Sequence, residues 1–180
     1  TTLTQELEKK IPYEKRIVTY DAARFYLKKN GLNADTITQK QNIEMQTFVI
    51  ASSIGAIMQA TRSNIMAVMD NSLIEVVAYT QDVPMPEAIM DQVYNHLMDY
   101  RNHSVSYVIP PIIPLENDGV RHTNNEFRLK IHQRILDVIE AFNIPYHIVN
   151  FKTVAYRADE VVHIHNAKGI FHLCHGATTP

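Results

Sequence analysis

Two carboxylates stand where short apolar runs give out. Asp70 closes NIMAVMD (64–70), and Asp21 follows RIVTY (16–20) with Arg24 close behind it. An acid at the carboxyl end of a strand can cap the next helix, ligate a cation or hold a substrate hydroxyl. A further polar group lies in PPIIPLENDGVRHT (110–123), where three prolines and a glycine between regular elements give the composition of a functional loop. That loop carries Arg121, and Arg128 follows it. At the far end His163, His165, His172, Cys174 and His175 gather imidazole and thiol donors that suit zinc. Their H-x-H-x6-H-x-C-H spacing matches no finger pattern, and on a helix His163 and His165 point in different directions.

The elements that must position these groups alternate. TTLTQELEKK reads as an amphipathic helix, with Leu3 and Leu7 on one face and Glu6, Glu8, Lys9 and Lys10 mostly on the other. RIVTY is β-branched and hands over at Asp21 to a helix, DAARFYLKKN, that closes at Gly31. Apolar residues from Ile43 to Met58 recur at helical spacing, and Thr36 with Gln39 has the pattern of a capping box. NIMAVMD reads as a strand buried on both faces, and SLIEVVAYTQ as a helix. A helix over 86–101, a strand in SVSYVI, a helix opened by a Thr123 and Glu126 capping box, a strand in YHIVN and a last helix in RADEVVHIHN complete the order. Alternation of this kind predicts a parallel sheet covered by helices, with ligands at the carboxyl edge of its strands. Asp21, Asp70 and the loop from Pro110 are therefore expected to converge on one crevice.

Composition narrows the partners. A chain of 180 residues, 46% hydrophobic and 20% charged, suits one globular domain over 1–180. The net charge of −2 and pI near 6.5 do not indicate a nucleic-acid or anionic-membrane surface, although a local basic patch is compatible with them. A homo-oligomer is also compatible. No apolar stretch approaches the roughly 18 to 20 residues that span a bilayer. The single cysteine, Cys174, excludes an internal disulfide, and with no signal peptide in view the expected compartment is the cytoplasm.

Taken in order, TTLTQEL, DAARFYL, IMAVMDNSLIEVVAY and LENDGVRHTNNEFRLKIHQRI followed by IPYHIV resemble the P-loop nucleoside and nucleotide kinases. The resemblance covers about residues 1–150 and is closest to the AAA-type ATPase domain related to the ribosylnicotinamide kinase region of NAD-salvage proteins. It implies a three-layer P-loop NTPase fold, α/β, with a central, mostly parallel sheet between helices. It also implies binding of ATP with Mg2+ and phosphoryl transfer to a hydroxyl of a nucleoside, nucleotide or ribosylnicotinamide-like acceptor. On that reading Thr1 and Thr2 follow a Walker A lysine, Thr1 and Asp70 hold Mg2+, and Asp21 with Arg24 holds the acceptor. Arg121 and Arg128, in a lid over about 110–128, contact the transferring phosphate, a task suited to a permanently charged, forked guanidinium. Helix capping is the competing role for Thr1, Asp21 and Asp70, and a solvated surface is the competing place for the arginines. This sequence has Asp70-Asn71-Ser72 where relatives commonly have Asp-Arg-Ser.

No Walker A glycines or lysine stand before Thr1, and nothing there can form the central first strand of such a fold. The core is expected to have an open slot, which the segment 169–176, GIFHLCHG, could fill in a permuted order. Two further functions fit the sequence: a degenerate P-loop domain that binds nucleotide or a protein without catalysis, and a metal-binding protein built on the histidine-rich end.

Overall fold

Three helices end in the same way, and each ending re-aims the chain. The computed structural model describes residues 3–111, 124–150 and 153–167. They form α1 (Leu3–Lys10), β1 (Arg16–Thr19), α2 (Ala22–Lys29), α3 (Gln39–Ser63), β2 (Met66–Met69) and α4 (Leu73–Thr80). After these come α5 (Glu87–Tyr100), β3 (Ser106–Val108), α6 (Asn125–Ala141), β4 (Tyr146–Ile148) and α7 (Val154–Ala167). Gly31, Asn64 and Asn143 follow α2, α3 and α6 with φ of 63°, 52° and 51°, in the left-handed region that glycine and asparagine tolerate best. Beyond each, an N–H reaches back to the last turn: Leu32 to Leu27 O, Ile65 to Ala60 O and Ile144 to Ile139 O, at 2.9, 3.0 and 3.0 Å. These are Schellman endings. Two of them deliver the chain directly into β2 and β4.

The helix starts differ from the sequence expectation in register. TITQKQ contains two overlapping T-x-x-Q frames, and the box that forms is Thr38 with Gln41 rather than Thr36 with Gln39. Thr36 is instead held in a turn by its N–H to Asn33 O. At α6 the cap is Asn124, whose Oδ1 accepts the N–H groups of Glu126 and Phe127, and not Thr123. Asparagine is as good a cap as threonine or better, so the adjacent residue takes the position.

The strands pair in parallel, but the described ones form two sheets rather than one. β1 pairs with β2 and β3 with β4, each as a two-stranded parallel ladder. The facing edges of β2 and β3 line a cavity of about 1010 Å3. That opening explains why Met66–Met69 are only partly buried, against the expectation of a strand covered on both faces.

Packing divides on β3. Val108 belongs to the main apolar cluster with Val49, Leu73, Val93, Leu97 and Ile139, drawn from α3, α4, α5 and α6. Its neighbour Tyr107 packs on a second cluster of α1 and α7, around Leu7, Ile11, Ala158 and Val161. Successive residues of a strand face opposite ways, so helices lie on both sides of this strand. Among the described residues, no helix is long and apolar enough to cross a membrane.

Candidate functional site

The register of the β1–β2 ladder brings the two strand-end acids together. Thr19 lies opposite Met69, and the Asp70 N–H continues the ladder to Thr19 O at 3.2 Å. Both chains leave the sheet at this level, one into α2 and the other into α4. Asp21 caps α2, its Oδ1 accepting the Arg24 N–H at 2.9 Å, while its Oδ2 lies 3.7 Å from Arg24 Nε. The cap fixes the carboxylate yet leaves acceptor capacity, since two oxygens offer about four lone-pair sites.

Asn71 locks the two strand ends to each other. Its side-chain oxygen accepts the Ala22 N–H at 2.9 Å, and its carbonyl accepts Ser53 Oγ from α3 at 3.0 Å. The residue that departs from the common Asp-Arg-Ser pattern thus ties the start of α2 to the β2–α4 turn. Asp70 itself is not the cap of α4; Ser72 is. Asp70 instead lines the cleft between the two strand ends.

Asp21, Arg24 and Asp70 line one cleft of about 470 Å3, with Gln5 of α1 and the rings of Tyr20 and Phe25. Lys28 and Lys29 complete its outer wall. Phe25 is exposed but supported, stacked on Phe48 at 6.1 Å and overlaid by Lys29 Nζ at 5.9 Å from the ring centre. The Tyr20 hydroxyl is hydrogen-bonded to Glu8 of α1, which raises its pKa. Asp70 also lines the larger cavity, as do Ser72 and Glu75.

Glu75 is the site residue that the sequence reading missed. Its Oε2 accepts the Ser72 N–H at 2.6 Å, an ordinary capping contact. Burial, and after it the charges of Asp70 and Asp21, push its pKa up to about 8 despite that hydrogen bond. Glu75 keeps partial surface exposure by area while its carboxyl is enclosed; it lines the larger cavity, and cavity-facing surface is not bulk solvation. The signal was present as Ser72-x-x-Glu75 immediately after Asp70. The charges of Asp70 and Asp21 thus reach Glu75, and negative potential of this kind suits a group that holds and moves a proton.

The other expected residues that the structure describes, Arg128, His163 and His165, are not brought to this cleft. Arg128 lies in the first turn of α6, lines neither cavity, and acts on His132, whose pKa is lowered by burial and then by the Arg128 charge. Thr1, Thr2, Arg121, His172, Cys174 and His175 lie outside the described residues, as does most of the lid. His163 is exposed on α7, while His165 Nδ1 lies 3.1 Å from the Tyr107 hydroxyl and burial lowers its pKa. Among the described residues no three His, Cys, Asp or Glu side chains are arranged to hold a metal ion.

No curated protein and no solved structure matches this chain. A protein-family model does, that of an AAA domain, over residues 1–157. Domains of this P-loop NTPase type bind nucleotide, generally ATP with Mg2+. The match spans most of the sequence, including both acid-bearing strand ends and α7 as far as Arg157, and the chain belongs to the AAA domain family.

Proposed function

We propose that this protein binds ATP with Mg2+ and transfers the terminal phosphoryl group to a hydroxyl of a nucleoside, nucleotide or ribosylnicotinamide-like acceptor. The observation that carries this reading is the meeting of Asp21, Arg24 and Asp70 in one cleft at the carboxyl edge of paired parallel strands. Mg2+ binds through one or two carboxylates plus phosphate oxygens and water, so Asp70 suffices as its strand-end ligand, with the Thr1 hydroxyl as the second that the resemblance supplies. When bound, the ion offsets the charge of the phosphates. Asp21 orients the acceptor hydroxyl and takes its proton as that oxygen bonds the terminal phosphorus; the bond to the bridging oxygen breaks and ADP leaves. Arg24 holds Asp21 and the acceptor together. Tyr20 offers a ring on which a base or nicotinamide can stack, with Phe25 beside it as an apolar wall. Arg121 remains the candidate to meet the developing phosphate charge, in preference to Arg128.

Titration calorimetry with ATP and Mg2+ is the first test, followed by a transfer screen across nucleosides, nucleotides and ribosylnicotinamide. Asp70→Ala should weaken Mg2+-dependent ATP binding roughly tenfold or more, worth ~1.4 kcal/mol per decade. Asp21→Asn should leave ATP affinity in place and slow transfer by roughly 10² to 10⁴. Absence of ATP affinity in the parent chain would refute the reading. A second reading, nucleotide binding without transfer, is favoured by the engagement of both Asp21 oxygens with Arg24. Tight ATP binding with no acceptor turned over would select it.

A further inference from the structure

We propose that the acceptor taken by the cleft at the strand ends carries a phosphate monoester, as a nucleotide or sugar phosphate does, and that Lys28 and Lys29 hold that phosphate while Asp21 meets a hydroxyl. This deepens the phosphoryl-transfer reading and rests on it for the role of Asp21. The phosphate is here a handle, and the hydroxyl remains the nucleophile.

Helical spacing builds the wall that holds it. At about 100° per residue, Arg24, Lys28, Phe25 and Lys29 follow one another around a single face of α2. Leu27 anchors another face, buried with Met45 and with Ala23 packed against them. Burial of Leu27 therefore turns the cationic face outward, where all four residues line the cleft. The helix dipole favours lysines in the last turn whichever way they face, so it does not account for their place in this wall.

The cleft is polarised along α2. Asp21 caps the start of the helix, and Lys28 stands about two turns further on, ~10 Å along the axis. Between them Arg24 is answered by the Asp21 carboxylate, 3.7 Å from its Nε. Lys28 and Lys29 are exposed and have no carboxylate partner among the described residues; Lys29 Nζ instead lies 5.9 Å from the centre of the Phe25 ring. Such a contact is weak at an exposed site and leaves the ammonium donors for another acceptor.

These two ends sort ligands. A neutral nucleoside gains nothing from the lysines. A phosphate monoester, with about −1.5 to −2 charges at pH 7, is repelled by Asp21 and Asp70 and attracted by Lys28 and Lys29. Electrostatics thus sets which way round the ligand enters, and presents its hydroxyl rather than its phosphate to Asp21. A volume of about 470 Å3 suits a ligand of this size.

Titration calorimetry on the intact chain with matched pairs tests the proposal: adenosine against its 5′-monophosphate, thymidine against its 5′-monophosphate, and ribose against ribose 5-phosphate. In at least one pair the phosphorylated member should bind about tenfold more tightly or better, an advantage that shrinks with added salt. Lys28→Gln with Lys29→Gln should cut that advantage by about tenfold, Lys28→Arg with Lys29→Arg should keep most of it, and Lys40→Gln, outside the cleft lining, should match the parent. A second measurement needs no variant: the phosphorylated ligand should shield Lys28 and Lys29, but not Lys40, from acetylation read by mass spectrometry. Equal affinities within every pair, an advantage that survives in the folded double glutamine variant, or lysines left equally reactive would each overturn the proposal. Phosphate-selective binding without transfer from ATP would sink the phosphoryl-transfer reading and keep the cationic end; transfer to nucleosides with no preference for their phosphates would do the reverse.

Discussion

Glu75 is pulled in opposite directions by its neighbours. The Ser72 N–H favours the carboxylate, whereas enclosure and the nearby Asp70 and Asp21 favour the neutral acid, and the second set wins, with a pKa of about 8 against 4.5 ordinarily. The native state therefore keeps a proton that the unfolded chain releases, so stability is full below about 4.5 and is lost as pH rises toward 8. The slope reaches at most ~1.4 kcal/mol per pH unit. Glu75→Gln keeps an acceptor for Ser72 and cannot ionise. Urea unfolding between pH 5 and 8 should show a declining midpoint for the parent and a flat one for the variant. At this scale the sequence exposed Asp21 and Asp70 because each ends an apolar run. It hid Glu75, since the capping pattern around Ser72 says nothing about an acid as distant in sequence as Asp21 lying nearby in space.

At the scale of elements, the turns that end α3 and α6 constrain the strands that follow. Asn64 and Asn143 hold left-handed backbone, where a β-branched side chain costs ~1–2 kcal/mol and glycine costs little. Asn64→Val should lower stability by about that amount, and Asn64→Gly should leave it nearly unchanged or slightly raised, as read by chemical denaturation. Helix and strand order was legible because apolar periodicity changes sharply between segments such as VVAYTQ and SVSYVI. The caps were legible to within two residues. They slipped where two cap frames overlap, at Thr36 and Thr38, or where two capping residues adjoin, at Thr123 and Asn124. The three helix endings were only partly foreseen: glycine after α2 advertises itself, while asparagine at 64 and 143 is as common in an ordinary loop.

For the whole molecule, burial is uneven. Leu97 is fully enclosed between α5 and its neighbours, whereas Ile57 borders the larger cavity. Leu97→Ala should cost ~2–5 kcal/mol, and Ile57→Ala distinctly less, because truncation beside an existing opening creates little new unfilled volume. Equilibrium unfolding of the two variants side by side checks the difference. The parallel pairing of strands and the convergence of Asp21 with Asp70 followed from alternation alone. Among the described residues the strands divide into two half-sheets rather than one, which alternation could not foretell because it does not say which edges pair.

Asp70 borders both openings, the acidic cleft on one side and the gap between half-sheets on the other. It makes a single party wall. Any coupling between a ligand in the cleft and one in the gap would act through this one residue and would be reciprocal. A substitution at Asp70 therefore alters the lining of both openings at once.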